Sequence, residues 1–228
     1  MKQLIDEILK ESRFAENPYF TSLRSRTFDK SDFIETQIQF YTAVAFFSRP
    51  MATLAARIPT DALRQEIVRN VWEEHGEGNP EQSHSATFQE FLSRLGGITR
   101  QDIDQRALWP EMRIFNTTLA GAATLDEYIV SAAMFGMIER MFCEISSWIG
   151  NSLVEQGWVT RDQMIHYNLH EKLDIRHADD FFNVVRPAWD ASSDNRYSIE
   201  QGLRMGATLF NGLYESLYQN RKRRLARR

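Results

Sequence analysis

The sequence predicts an all-α fold, a single bundle of about seven to eight helices. Three observations predict it. Apolar residues recur at helical spacing, with strand signals nearly absent. Helix-start patterns of the form S/T-x-x-E/Q stand ahead of apolar runs at Thr124–Glu127, Thr160–Gln163 and Ser198–Gln201. No stretch rich in Gly, Ser or Pro divides the chain and no internal repeat is present, so its 228 residues suffice for one large core.

In chain order, the first expected helix covers 2–13, an amphipathic run in MKQLIDEILKESRF. The second covers 31–57; its centre FYTAVAFF is apolar nearly all round, and Pro50 is expected to kink it. A third, 61–75, runs out at Glu73-Glu74, where Gly76 and Gly78 reverse the chain. Asn79-Pro80 reads as an N-cap with proline in the first turn of a helix over 80–95. Helices over 108–121 and 125–154 follow. The segment YIVSAAMFGMIERMF in the latter is again apolar nearly all round and belongs in the middle of a bundle. A helix over 161–187 should end or bend at Pro187, and the last covers 198–223. Residues 1–220 are one domain and 221–228 a basic tail.

The apolar fraction of 43% and the charged fraction of 25% are those of an ordinary globular protein. No run approaches the length of a membrane span, and the first residues lack the order of a signal peptide. Cys143 is the single cysteine, which excludes an internal disulfide and suits a cytoplasmic location. The net charge of −4 is unevenly spread. The last eight residues, RKRRLARR, hold six of the 27 basic residues, leaving 21 against 31 acidic ones. Such a tail could touch nucleic acid or anionic lipid, but the acidic body would repel phosphate. The plainer reading is a frayed helix end with cations near its negative pole. Neither nucleic acid nor membrane is expected as a partner.

Chemistry concentrates in three stretches. In HEKLDIRHADD, His170, Asp174 and His177 fall at i, i+4 and i+7, within roughly 60° of one another on a helix. The same spacing also fits a solvated surface face. His166 lies on that side too, as a neighbour of the metal ligands or a solvated group. Glu139 sits in FGMIERMFC among Phe135, Gly136, Phe142 and Cys143. A carboxylate in an apolar stripe needs a cation, either a metal or an arginine such as Arg140. Gly136 removes bulk beside it. In NVWEEHGEGNPEQSH the glycine turn can bring Glu74 and His84 to one point; Glu81-x-x-His84 and Glu77 compete with Glu74. Glu73, Glu77 and Glu81 read by default as surface charge, and His75 as solvated. Carboxylates and imidazoles without sulfur suit two iron ions, or manganese, in a helix bundle. Phe40, Tyr41, Val44 and Phe47 line one side of the second helix. There Gln37 and Tyr41 are candidate substrate-binding residues, because polar atoms in an apolar helix need partners. The sequence assigns no arginine to a substrate carboxylate; Arg49 and Arg57 are candidates on that helix with nothing further to single them out.

The order E…H…E…H-x3-D-x2-H, in the blocks NVWEEHGEG, MIER and HEKLDIRHA, resembles the haem-oxygenase-like di-iron oxidases and oxygenases, over most of residues 17–215. The resemblance implies Glu74, His84, Glu139, His170, Asp174 and His177 as metal ligands, and prefers Glu74 to Glu77 and Glu81. It implies a haem-oxygenase-like bundle without haem and two Fe(2+) per chain. The implied reaction uses O2 to oxidise a small amino-acid-derived or carboxylic substrate by N-oxygenation, C–C cleavage or nitrile formation. An electron donor and a homodimer accompany that family. One branch makes para-aminobenzoate from its own tyrosine. Here Ile138 and Ile149 replace that branch's tyrosine and lysine, and Phe20, with Tyr19 beside it, stands at the sacrificial position. Thiamin-salvage-like and cofactor-maturation branches use the bundle without metal. A non-enzymatic interaction protein working through RKRRLARR is the remaining alternative.

Overall fold

Six of the ten described helices begin on a side chain that accepts a hydrogen bond from their first turn, satisfying N–H groups that have no partner within the helix. The computed structural model describes residues 1–227; of residue 165 and residues 168–174 only the backbone is described. The helices are α1 (Lys2–Ser12), α2 (Pro18–Arg24), α3 (Lys30–Arg57), α4 (Asp61–Glu74), α5 (His84–Gly96), α6 (Arg100–Gln105), α7 (Pro110–Leu125), α8 (Tyr128–Glu155), α9 (Ile165–Ala191) and α10 (Ser193–Gln219). Asn17 caps α2, Asp29 caps α3, Thr60 caps α4, Ser83 caps α5 and Ser192 caps α10. Thr99 and Asp102 form a reciprocal capping box on α6.

Several expected starts move. Thr124 lies inside α7, where its hydroxyl donates to the Ala120 carbonyl, and α8 begins at Tyr128 without a side-chain cap. Ser198 lies inside α10, which Ser192 starts six residues earlier. Thr160 and Gln163 do make the box, but on a 3-10 turn that precedes α9. Asn79-Pro80 likewise opens a 3-10 turn over Pro80–Gln82. Pro187 does not end its helix, which runs on to Ala191, and Pro50 is also internal. The short helices α2 and α6 escape the periodicity, since neither is long enough to repeat an apolar face.

Helix α8 is the axis of an all-α bundle, with α9 and α10 packed along it and α3 running with α4, α5 and α7. Small residues set the spacing. A Cβ on Gly202 would lie 2.2 Å from the Val130 carbonyl oxygen, and one on Gly206 2.5 Å from that of Met134. Backbone of α10 thereby touches backbone of α8. Among the described residues the only β pairing is an isolated bridge between Arg106 and Ala226. No described helix is long and apolar enough to cross a membrane.

The basic tail is not a frayed helix end. After α10 stops at Gln219, the chain extends as a strap over the amino-terminal regions of α3 and α7. Arg223 pairs with Glu111 at 3.0 Å and Arg224 with Asp32 at 2.8 Å. The Ala107 N–H donates to the Leu225 carbonyl and the Arg227 N–H to that of Gln105, both at 2.8 Å. The acidic body holds its own cations.

Candidate metal centre

Four helices meet around the residues that the sequence singled out. Glu74 closes α4. The turn behind it needs glycine at Gly76, whose φ is +78° and whose Cβ would sit 2.2 Å from the Asn79 carbonyl oxygen. That reversal returns the chain to Ser83 and places His84 at the first position of α5. His84 Nδ1 lies 2.8 Å from Glu74 Oε1, and both side chains are buried. Glu77 and Glu81 are exposed on the turn, as is His75.

Glu139 is 4% exposed in the middle of α8, and His177, on α9, is fully buried. Glu74, Glu139 and His177 each offer a ligand atom, and these atoms all lie within 4.8 Å of one another. Arg140 is not the cation that this carboxylate recruits; it pairs with Glu144 one turn on, at 3.0 Å. Gly136 does not clear space for a ligand. A Cβ there would lie 2.9 Å from Phe181 Cβ and 2.7 Å from the Phe182 ring, so the glycine admits α9. The side chains of His170 and Asp174 lie outside the described residues.

A cavity of about 50 Å3 opens on this group. Its polar wall is Glu74, His84, Glu139 and His166; its apolar wall is Phe40, Val44, Phe47, Phe115, Ile138, Phe142 and Phe210. His166 is fully buried, with Nδ1 3.2 Å from Thr87 Oγ1 and its ring edge-on to His84. It is not solvated. The Thr87 hydroxyl donates its one hydrogen to the His84 carbonyl at 3.1 Å.

Glu73 corrects an expectation. Its side chain is 9% exposed, and its Oε2 accepts from His177 Nε2 at 2.7 Å and also pairs with Arg176. Burial pushes its carboxyl up, but the hydrogen bond and charge of His177 and the charge of Arg176 outweigh that and hold it below the usual range. Linear spacing carried no sign of this role, because which face of α4 meets α9 is decided by packing.

The two expected substrate residues already have protein partners. Gln37 Nε2 donates to the Tyr19 hydroxyl at 2.8 Å, and its Oε1 accepts from the Tyr167 hydroxyl at 2.5 Å. The Tyr41 hydroxyl accepts from Arg100. Neither residue lines the carboxylate cavity, and neither do Arg49 and Arg57; Arg57 instead donates to the Ala123 carbonyl.

A donor set of carboxylate oxygens and imidazole nitrogens, buried and mutually close, fits a hard or borderline cation such as iron. Two carboxylates facing one apolar cavity are stable as anions only with compensating positive charge.

A family model described as iron-containing redox enzyme matches residues 35–211. No curated protein matches the sequence. Solved structures resemble it in fold. A Shewanella denitrificans domain of unknown function with a heme oxygenase-like fold has a TM-score of 0.78 at 12% identity, covering 97% of this chain and 93% of that one. A TenA homologue from Pseudomonas syringae reaches 0.78 at 15% identity, covering 96% and 92%. A CADD-like protein of unknown function from Nostoc punctiforme reaches 0.73 at 16%, covering 96% and 95%.

Proposed function

The chain belongs to the iron-containing redox enzyme family, and from that premise we propose that its buried carboxylate–imidazole cavity holds iron and serves an O2-dependent oxidation. Glu74, His84, Glu139 and His177 would hold the metal, joined by His170 and Asp174 to make a two-iron set. The substrate class is a small amino-acid-derived or carboxylic molecule. The observation that carries the reading is the approach of Glu74, Glu139 and His177 to within 4.8 Å, all three buried.

Ferrous iron held there would supply redox chemistry and open coordination positions for dioxygen. The chain's own residues do the rest. Glu74 and Glu139 bring negative charge to a cavity otherwise walled largely by apolar side chains, where a cation would be held more strongly than in water. Glu73 accepts the Nε2 proton of His177 and so fixes the ring's orientation, the carboxylate–histidine arrangement common behind metal ligands. Thr87 Oγ1 meets His166 Nδ1 at 3.2 Å and positions the ring at the cavity wall.

Anaerobic ferrous titration should saturate near two irons per chain, on the order of the sites that the six residues supply. A Glu139→Ala chain that keeps its helical circular dichroism should lose most of that binding. A wild-type chain that binds no ferrous iron would sink the reading.

A second reading is the metal-free, thiamin-salvage-like use of the bundle, which the fold-level likeness to the TenA homologue favours. It expects no ferrous binding and the same thermal stability with and without iron, so one titration separates the two.

A further inference from the structure

Helix α3 has a cavity on each side. Phe40, Val44 and Phe47 face the carboxylate cavity, whereas Tyr41, Thr42, Phe46 and Arg49 line a separate cleft of about 340 Å3. That volume lies within the range of small-molecule sites. Four arginines line the cleft, Arg49, Arg100, Arg106 and Arg227, against a single acidic residue, Asp104. Such a concentration of positive charge is notable in a chain whose net charge is −4.

Two of the four are already engaged. Arg100 pairs with Asp104 at 3.1 Å and donates to the Tyr41 hydroxyl. Arg106 pairs with buried Glu35 at 3.1 Å. Arg49 and Arg227 have no carboxylate partner among the described residues; Arg49 meets only the Phe46 ring, at 6.0 Å. Both are exposed, so their placement costs no burial. The scaffold beneath them is fixed. Gln39 donates to the Ala107 carbonyl at 3.1 Å and accepts from the Trp109 N–H at 2.9 Å. The strap carrying Arg227 is tied to the Gln105 carbonyl.

Arginines that line one cleft without a carboxylate partner, as Arg49 and Arg227 do, are stabilised by an oxyanion, which each can grip through two parallel N–H bonds. We propose that this cleft binds a small multiply charged oxyanion, a polycarboxylate or a phosphate, bridging Arg49 of α3 and Arg227 of the carboxy-terminal strap. Binding ties the strap to α3 and shields the arginines at 221, 223 and 224 from proteolysis. None of the four arginines lines the carboxylate cavity, so the inference stands independently of the iron reading.

The test is calorimetric titration of the full chain with citrate and, separately, with inorganic phosphate. Saturable one-site binding of at least one anion is expected, weakened at least tenfold in Arg49→Gln and in Arg227→Gln. The control is Arg186→Gln, in a groove that Asp179 and Asp190 also line, and it should keep wild-type affinity. Tryptic cleavage within the strap should slow in the presence of the bound anion. Binding of citrate alone identifies carboxylate as the ligand chemistry, phosphate alone identifies phosphate, and both together identify shared oxyanion recognition. No saturable binding of either anion, or affinity equal in all three variants, overturns the proposal. Circular dichroism establishes that each variant is folded, and ferrous titration should be unchanged in all of them.

Discussion

At Gly136 a hydrogen stands where any other residue would place a carbon. That carbon would lie 2.7 Å from the Phe182 ring and 2.9 Å from Phe181 Cβ, a backbone-near atom that cannot rotate away. Gly136→Ala should therefore destabilise the fold by about 1–3 kcal/mol, the usual range for an overpacked core, read as a lower urea midpoint at unchanged slope. On the proposed reading it should also weaken ferrous binding, because α9 carries His177 past the same point. Read in sequence, the glycine beside Glu139 signals close approach, but linear spacing cannot say what approaches. Glu139 itself was legible, since its neighbours one turn either way are apolar. Glu73 was not, since the sequence gives consecutive glutamates at 73 and 74 no distinction until α9 lies against one of them.

Among the helices, α5 shows how a cap serves a site. Ser83 accepts from the Ala86 N–H at 3.3 Å, and His84 is the next residue. Ser83→Ala should cost about 1 kcal/mol of stability and loosen the first turn, which on the proposed reading lowers iron affinity without abolishing it. Comparison of chemical unfolding with ferrous titration checks both. Capping residues were readable as a class. Which of them act was not, because a Thr or Ser inside a helix can bond the carbonyl four residues back instead, as Thr124 does. Length explains the misses at α2 and α6. Long apolar helices such as α3 and α8 repeat their pattern over many turns, and their placement at the bundle centre followed from that.

Across the molecule, an aromatic layer joins the site to the far side of the bundle. Tyr19, Tyr167 and Tyr214 are buried within it, and burial pushes all three phenols well above their ordinary value. For Tyr19 the hydrogen bonds to Thr36 and Gln37 oppose the rise without cancelling it. The sign follows from linkage: groups whose folded pKa exceeds the unfolded one contribute stability that is complete below the unfolded value, near 10. That contribution falls as pH rises above it, by about 1.4 kcal/mol per unit for each phenol. In an alkaline titration, tyrosinate absorbance from three of the seven tyrosines should appear together with loss of helical circular dichroism. A smooth appearance in the folded chain would contradict their burial. The sequence by itself determined the all-α class, the central helices and the three stretches rich in ligand-type residues, because periodicity and local spacing are properties of short segments. Only the tertiary structure decided that Glu74 faces His84 while Glu77 and Glu81 face water, that Glu73 supports His177, and that the basic strap folds back on acidic helix starts. Those outcomes depend on distances between segments far apart in the chain, which are set by how closely the helices pack.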